Sequence, residues 1–336
     1  MNTQRVLTWI ALVGVLIWIT PLQGAPVAAQ NTQKLNVVAT FSILGDVVQN
    51  IGGDAINLTV IVGADGDAHT FEPSPEQIGA IADANVIVEN GLGFESWLND
   101  MVDASGTNAS RVVASSGVKP LTWADEKAQE AFNEAVILGK PTPNPVESDD
   151  DSGEFDPHVW QDVSNVIAEV AVIRDALSAA DPANAARFDA NATAYSTRLE
   201  QLDQWLRDSV ASLPSDKRVL FTSHDALGYF ARAYGFTIVG SALGSLSTEA
   251  ADPSAGDVAH LIDEIKASGV PAIFAESIEN TDLMDQVASD ANVEVAPPLY
   301  VDALSRADGP AATYIDLVRS NVTTIVSALG GSVSSP

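Results

Sequence analysis

Residues 181–213 read DPANAARFDANATAYSTRLEQLDQWLRDSVASL. Asp181-Pro182 opens this stretch as N-cap and first helical residue, and Pro214 stops it. Leu199, Leu202, Trp205, Leu206, Val210 and Leu213 recur at helical spacing and mark a face to be buried. At about 1.5 Å per residue, a helix from Pro182 to Leu213 is a rod of about 48 Å. That is longer than one small domain is wide. A single helix of this length between two strand-forming halves is a stiff connector, and it makes large domain closure difficult.

Upstream of the rod, strands and helices alternate. Leu35–Phe41 is a β-rich run, Ile43–Ile51 a helical pattern and Ile56–Val62 a strand that ends in the glycine-bearing loop 63–69. Ser74-Pro75-Glu76-Gln77 is a capping box for a helix reaching about Ala84. Strands follow at Val86–Glu89 and Arg111–Ala114, with a helix over Phe94–Val102 between them. Residues of about 124–154 break this grammar, with Pro141, Pro143 and Pro145 followed by an acidic run. They read as a mobile surface loop with too little apolar surface to offset the entropy of ordering. The run does not match an EF-hand, because its oxygen ligands fall out of register. Asp162–Ala180 is an amphipathic helix leading to the rod.

Downstream the same grammar returns. Strands are expected at Arg218–Thr222, Thr237–Val239, Pro271–Ala275 and Val293–Val295. Helices are expected at Leu227–Tyr234, after a cap at Asp252-Pro253, at Leu283–Ala291 and over 311–328. Short connections between alternating elements predict an α/β fold with parallel sheets. The expected architecture is two lobes, each a mainly parallel sheet flanked by helices, joined by one long backbone helix. The boundaries are a signal peptide at 1–30, an N-terminal lobe at 31–180, the connecting helix at 181–214 and a C-terminal lobe at 215–336.

Arg5, the apolar run Val6–Ile19 and the small residues Val27-Ala28-Ala29 compose the signal peptide. The apolar run is short for a hydrocarbon core of about 30 Å, and an uncleaved anchor is the competing reading. Either way the chain is expected at the periplasmic or extracellular face of a membrane. With no cysteine, the sequence offers no site for a lipidated amino-terminal cysteine, no disulfide, no thiolate ligand and no thiol nucleophile. Forty-five acidic against 16 basic residues leave a formal charge of −29. That field repels phosphate backbones, so nucleic acid is not an expected partner.

Four histidines occur in the chain. His69 follows the strand Ile56–Val62, His224 follows Arg218–Thr222, and Asp302 follows Val293–Val295. The carboxyl ends of strands are where open α/β sheets bind ligands. His158 lies at the loop-to-helix transition Phe155–Trp160. His260 sits within a helix next to Leu261 and reads as a surface or half-buried residue. Taken singly, each histidine reads more readily as a surface or packing residue than as a ligand, and no local chelate such as H-E-x-x-H occurs.

Four segments in order carry a resemblance. They are Gly66-Asp67-Ala68-His69 running on to Glu72-Pro73-Ser74-Pro75, Asp156-Pro157-His158-Val159-Trp160, Ser223-His224-Asp225 running to Phe230, and Val301-Asp302 running to Ser305. Together with Ser247-Thr248-Glu249 they make residues 35–328 similar to the cluster A-I zinc/manganese-binding proteins of ABC metal importers. The resemblance implies a divalent ion held between two lobes and handed to a membrane permease. It assigns the four ligand places to His69, His158, His224 and Asp302. Histidine rather than glutamate at the third place implies zinc, with manganese or iron(II) as the alternative. Three imidazoles and one carboxylate suit Zn²⁺ in a tetrahedral shell.

Glu72, Asp225, Glu249 and Glu276 are candidate acceptors that orient the imidazoles. Trp160 is expected to pack beneath the site. Two departures stand out: the loop before His158 is acidic and lacks the histidines common in zinc members, and Val163 replaces a usual proline. The chain is expected to act as a monomeric binding protein and not as an enzyme. A secreted zinc hydrolase would need an exchangeable position and a neighbouring base, and no sequence-local glutamate supplies one. An adhesin is the remaining alternative.

Overall fold

The computed structural model describes residues 34–140, 155–249, 253–278 and 281–335. The signal-peptide reading therefore lies outside the described residues, as do the prolines and acidic run of 141–154. In the first half, β1 (Leu35–Phe41), β2 (Ile56–Val62), β3 (Val86–Glu89) and β4 (Ser110–Val113) form one parallel sheet in the order β2-β1-β3-β4. β3 is buried at all four positions, as expected of a strand covered on both faces. Helices α1 (Ser42–Gly52), α2 (Pro75–Ala82) and α3 (Leu98–Ser105) connect the strands. The capping box that opens α2 is present, with Ser74 and Gln77 bonding reciprocally.

The long helix is shorter at both ends than its sequence suggests. Asp181-Pro182 forms a turn, in which Asn184 donates to the Asp181 carbonyl at 3.1 Å and to its carboxylate at 2.6 Å. Helix starts only at Ala185, because Asp181 spends its acceptors on that turn. The rod α6 (Ala185–Val210) follows α5 (Val163–Ala180) and spans about 39 Å. Its buried face begins at Phe188 and continues through Ala192, Tyr195, Leu199, Leu202 and Leu206. Trp205 lies at the margin, its indole donating to the Ser334 carbonyl at 2.9 Å.

In the second half, β5 (Val219–Thr222) pairs in parallel with β6 (Thr237–Ser241), and β7 (Ala272–Ile273) with β8 (Glu294–Val295). The Phe274 amide donates to the Phe221 carbonyl at 3.0 Å. That bond sets the two two-stranded sheets side by side with β7 next to β5, in the succession β6-β5-β7-β8 that parallels the order of the first sheet. Helices α7 (Gly228–Tyr234), α8 (Ala255–Ser268), α9 (Asp282–Ala291) and α10 (Tyr314–Ala328) complete it. α8 is capped by Ser254, with Asp257 closing the box, and not by Asp252-Pro253. The larger core runs from the first sheet through α5 and α6 into α7 and α10. A smaller one lies among β5, β6, α8 and α9.

The expected loop beginning near residue 124 is instead helical over its first part. α4 (Trp123–Ile137) is capped by Thr122, whose hydroxyl accepts from the Asp125 amide, with Asp125 and Glu126 in the first turn. The helix packs on β6 and α8 of the second half. Asn133 donates to the Ile238 carbonyl at 2.9 Å, and Lys127 reaches Asp225 at 2.8 Å. These long-range contacts hold the helix against the second half of the chain.

On α5, Glu169 is 2% exposed, and one of its carboxyl oxygens meets no donor. Burial, and then the charge of Glu95, push its pKa up to about 8 from an ordinary 4.5. Folding therefore takes up a proton across that window, and stability falls as pH rises, by roughly 1.4 kcal/mol per unit. Glu169→Gln cannot titrate. In chelator-treated protein its urea midpoint should decline less between pH 5 and 8 than the wild type's, and parallel declines would refute this account.

Candidate metal centre

The loop after β2 delivers His69, a 3₁₀ turn before α5 delivers His158, the segment after β5 delivers His224, and the extended chain after β8 delivers Asp302. Local chemistry sets the first two. Asp67 Oδ1 accepts the His69 amide at 2.8 Å, and Asp156 Oδ1 accepts the His158 amide at 2.8 Å. Both are Asx turns built on the pattern Asp-x-His. The Trp97 indole ties down the first loop by donating to the Ala68 carbonyl at 2.9 Å.

The four side chains meet at one point. His158 Nε2 lies 3.4 Å from His69 Nε2 and 3.4 Å from His224 Nε2. Asp302 Oδ2 lies 3.2 Å from His69 Nε2 and 3.3 Å from His224 Nε2, and its Oδ1 lies 3.6 Å from His158 Nε2. His158 and His224 are fully buried and Asp302 nearly so, while His69 is 9% exposed. A charge-assisted hydrogen bond would be about 2.7–2.9 Å, and neither Asp302 oxygen makes one of ordinary geometry. A tetrahedral ion with bonds of about 2.0–2.1 Å has donor–donor edges of about 3.3–3.4 Å. Four of the five observed distances, at 3.2–3.4 Å, lie close to that length, and the fifth, to the other Asp302 oxygen, is 3.6 Å.

Partners on the far side of two rings fix their tautomers. His158 Nδ1 lies 2.7 Å from Asp156 Oδ1, and His224 Nδ1 lies 2.6 Å from Glu276 Oε1. Each carboxylate accepts a hydrogen bond from Nδ1–H, which keeps the proton on Nδ1 and turns the Nε2 lone pair toward the shared centre. Ser223 Oγ also donates to Glu276 Oε1, at 3.0 Å. Around the centre, Trp160 packs 5.4 Å from the His158 ring and donates to the Val301 carbonyl at 2.8 Å. Phe94 meets His69 edge-on at 4.8 Å.

The charges answer one another. Burial works against a charged His224, but the carboxylates of Glu276 and Asp302 overcome it and hold the imidazolium well above its usual range. Burial likewise works to raise Asp302, yet the imidazoles of His158 and His224 hold it well below the usual carboxylate range.

Three candidate acceptors lie elsewhere. Glu72 and Glu249 are exposed, and Asp225 turns to Lys127. Of the four glutamate and aspartate candidates, Glu276 is the one that faces an imidazole. Asp156, quoted in the motif but given no role, does the same for His158. The repeated spacing of an aspartate two residues before a histidine is the signal that points to it.

A family description, the periplasmic zinc-uptake complex component A, matches residues 37–328. The manganese-binding lipoprotein MntA of Halalkalibacterium halodurans is 35% identical over 301 residues, 90% of each chain. The iron-binding protein YfeA of Yersinia pestis is 31% identical over 302 residues, 90% of this chain and 88% of that one. The periplasmic zinc-binding protein TroA of Treponema pallidum superposes with a TM-score of 0.74 at 29% identity, covering 88% of this chain and 99% of that one. The chain is thus of the class of metal-binding substrate-binding proteins of ABC transporters. It belongs to the zinc-uptake complex component A family.

Proposed function

We propose that the protein captures Zn²⁺ outside the cytoplasm and delivers it to an ABC permease, with His69, His158, His224 and Asp302 as its ligands. The observation that carries this reading is the meeting of three Nε2 atoms and one carboxylate at 3.2–3.6 Å. Imidazole-rich, tetrahedral donor sets suit zinc. Four protein donors leave no position for an activated water, which fits capture and delivery and not hydrolysis. The ion is cargo, held between an N-terminal lobe ending near residue 180 and a C-terminal lobe beginning near 215, in a monomer directed outward by residues 1–30.

Manganese is the second reading, and one observation favours it. Both Asp302 oxygens turn inward, so the site offers five donor atoms to an ion that accepts a larger shell and more oxygen. Iron(II) shares that argument. Native mass spectrometry of the protein isolated without added metal tests the choice. One zinc per chain is expected, and manganese or iron in its place under zinc-replete growth would replace the zinc reading.

A further inference from the structure

A second cluster of donors lies away from this centre, where α4 meets α8. His260 and Glu264 stand four residues apart on α8 and share a face of the helix. Glu134 of α4 reaches the same place, with His260 Nε2 3.3 Å from Glu134 Oε1. One donor atom from each of the three lies within 4.8 Å of the others. Glu264 supplies an independent observation. It is 5% exposed, and among the described residues its carboxylate forms no hydrogen bond. Burial, and then the facing Glu134 charge, push its carboxyl up to about 7. Lys140 pairs with Glu134 at 2.9 Å from a half-exposed position. A carboxylate buried beside a second carboxylate and an imidazole is stabilised by a cation placed among them.

We propose that Glu134, His260 and Glu264 form a second site for a divalent transition-metal ion, bridging α4 and α8. One imidazole and two carboxylates suit a borderline ion such as Zn²⁺. Three protein donors leave a position for water, so the ion exchanges more readily than in a four-donor shell. The His260 side chain is 50% exposed, which gives the ion a route in from solvent. Occupancy would tie a helix of the first half of the sequence to one of the second.

The test titrates the full chain with Zn²⁺ alone against a chromophoric chelator, with native mass spectrometry as the count. Wild type should take one tight and one much weaker equivalent. His260→Ala and Glu264→Gln should each lose the weaker equivalent and keep the tight one. Lys140→Ala should strengthen the weaker one several-fold by removing a competing ammonium. Because His260 is at the surface, its variant serves if the buried Glu264→Gln fails to fold. A single equivalent in wild type, or a weaker equivalent that persists in His260→Ala, would overturn the proposal. His158→Ala reports separately on the tight site, so failure of one assignment is distinguishable from failure of the other.

Discussion

His158→Ala should abolish tight Zn²⁺ binding in a protein that still folds. His158 is the central donor, with Nε2 3.4 Å from both other imidazoles and 3.6 Å from Asp302. Its removal leaves three donors and opens the shell to water. It also takes from fully buried Asp156 the ring it pairs with, leaving that carboxylate only the residue-158 amide, so the metal-free fold should lose about 1–3 kcal/mol. The loss of affinity should exceed the 10–100-fold typical of removing an outer partner of a metal ligand. Chelator competition measures it, and circular dichroism checks the fold. Wild-type affinity in this variant would end the proposed assignment of ligands.

Asp156→Asn and Glu276→Gln should each weaken Zn²⁺ binding by about 10–100-fold while keeping one tight equivalent. Asp156 Oδ1 accepts two protons from His158, from the amide and from Nδ1. Glu276 Oε1 accepts from the His224 ring and from Ser223. An amide in either place removes the charge that makes these bonds strong. It can also donate to Nδ1, which moves the ring proton to Nε2, where the ion must sit. Glu72→Gln and Glu249→Gln are the matched controls, since both side chains are exposed, and they should bind as wild type does. Equal losses across all four variants would mean that overall negative charge, and not ring orientation, governs affinity.

The alternating grammar of strand and helix was legible because each element carries its own punctuation. Ser74-Pro75 announces α2 through side-chain chemistry within four residues, and β3 declares itself by a run of apolar residues. α4 merges into the loop reading because of the prolines and acidic run that follow it, although Thr122 and Asp125 supply a local cap. Its tertiary partners, Asp225 for Lys127 and the Ile238 carbonyl for Asn133, lie far along the chain. The start of α6 was misplaced for a local reason, the competing turn at Asp181. At the site, motif order pointed to four side chains, while the orienting carboxylates divided. Asp225 and Glu249 sit near a motif in sequence but turn away from the rings. Glu276 and Asp156 face them, and only the fold decides which neighbours in sequence become neighbours in space.

His69 differs from its three companions in standing at the rim, 9% exposed where none of the others exceeds 1%. If the four donors hold the ion as proposed, an acceptor cannot reach it by displacing water. Unloading would then begin with retreat of a side chain, and His69, the most exposed of the four, sits on a loop held by the Trp97 indole at the Ala68 carbonyl and by the Asp67 carboxylate at its own amide. The Asp67 carboxylate that shapes this loop also takes a bond from Thr248, at 2.8 Å. A permease that pulled on the 247–249 segment would thus loosen the door through which the cargo departs.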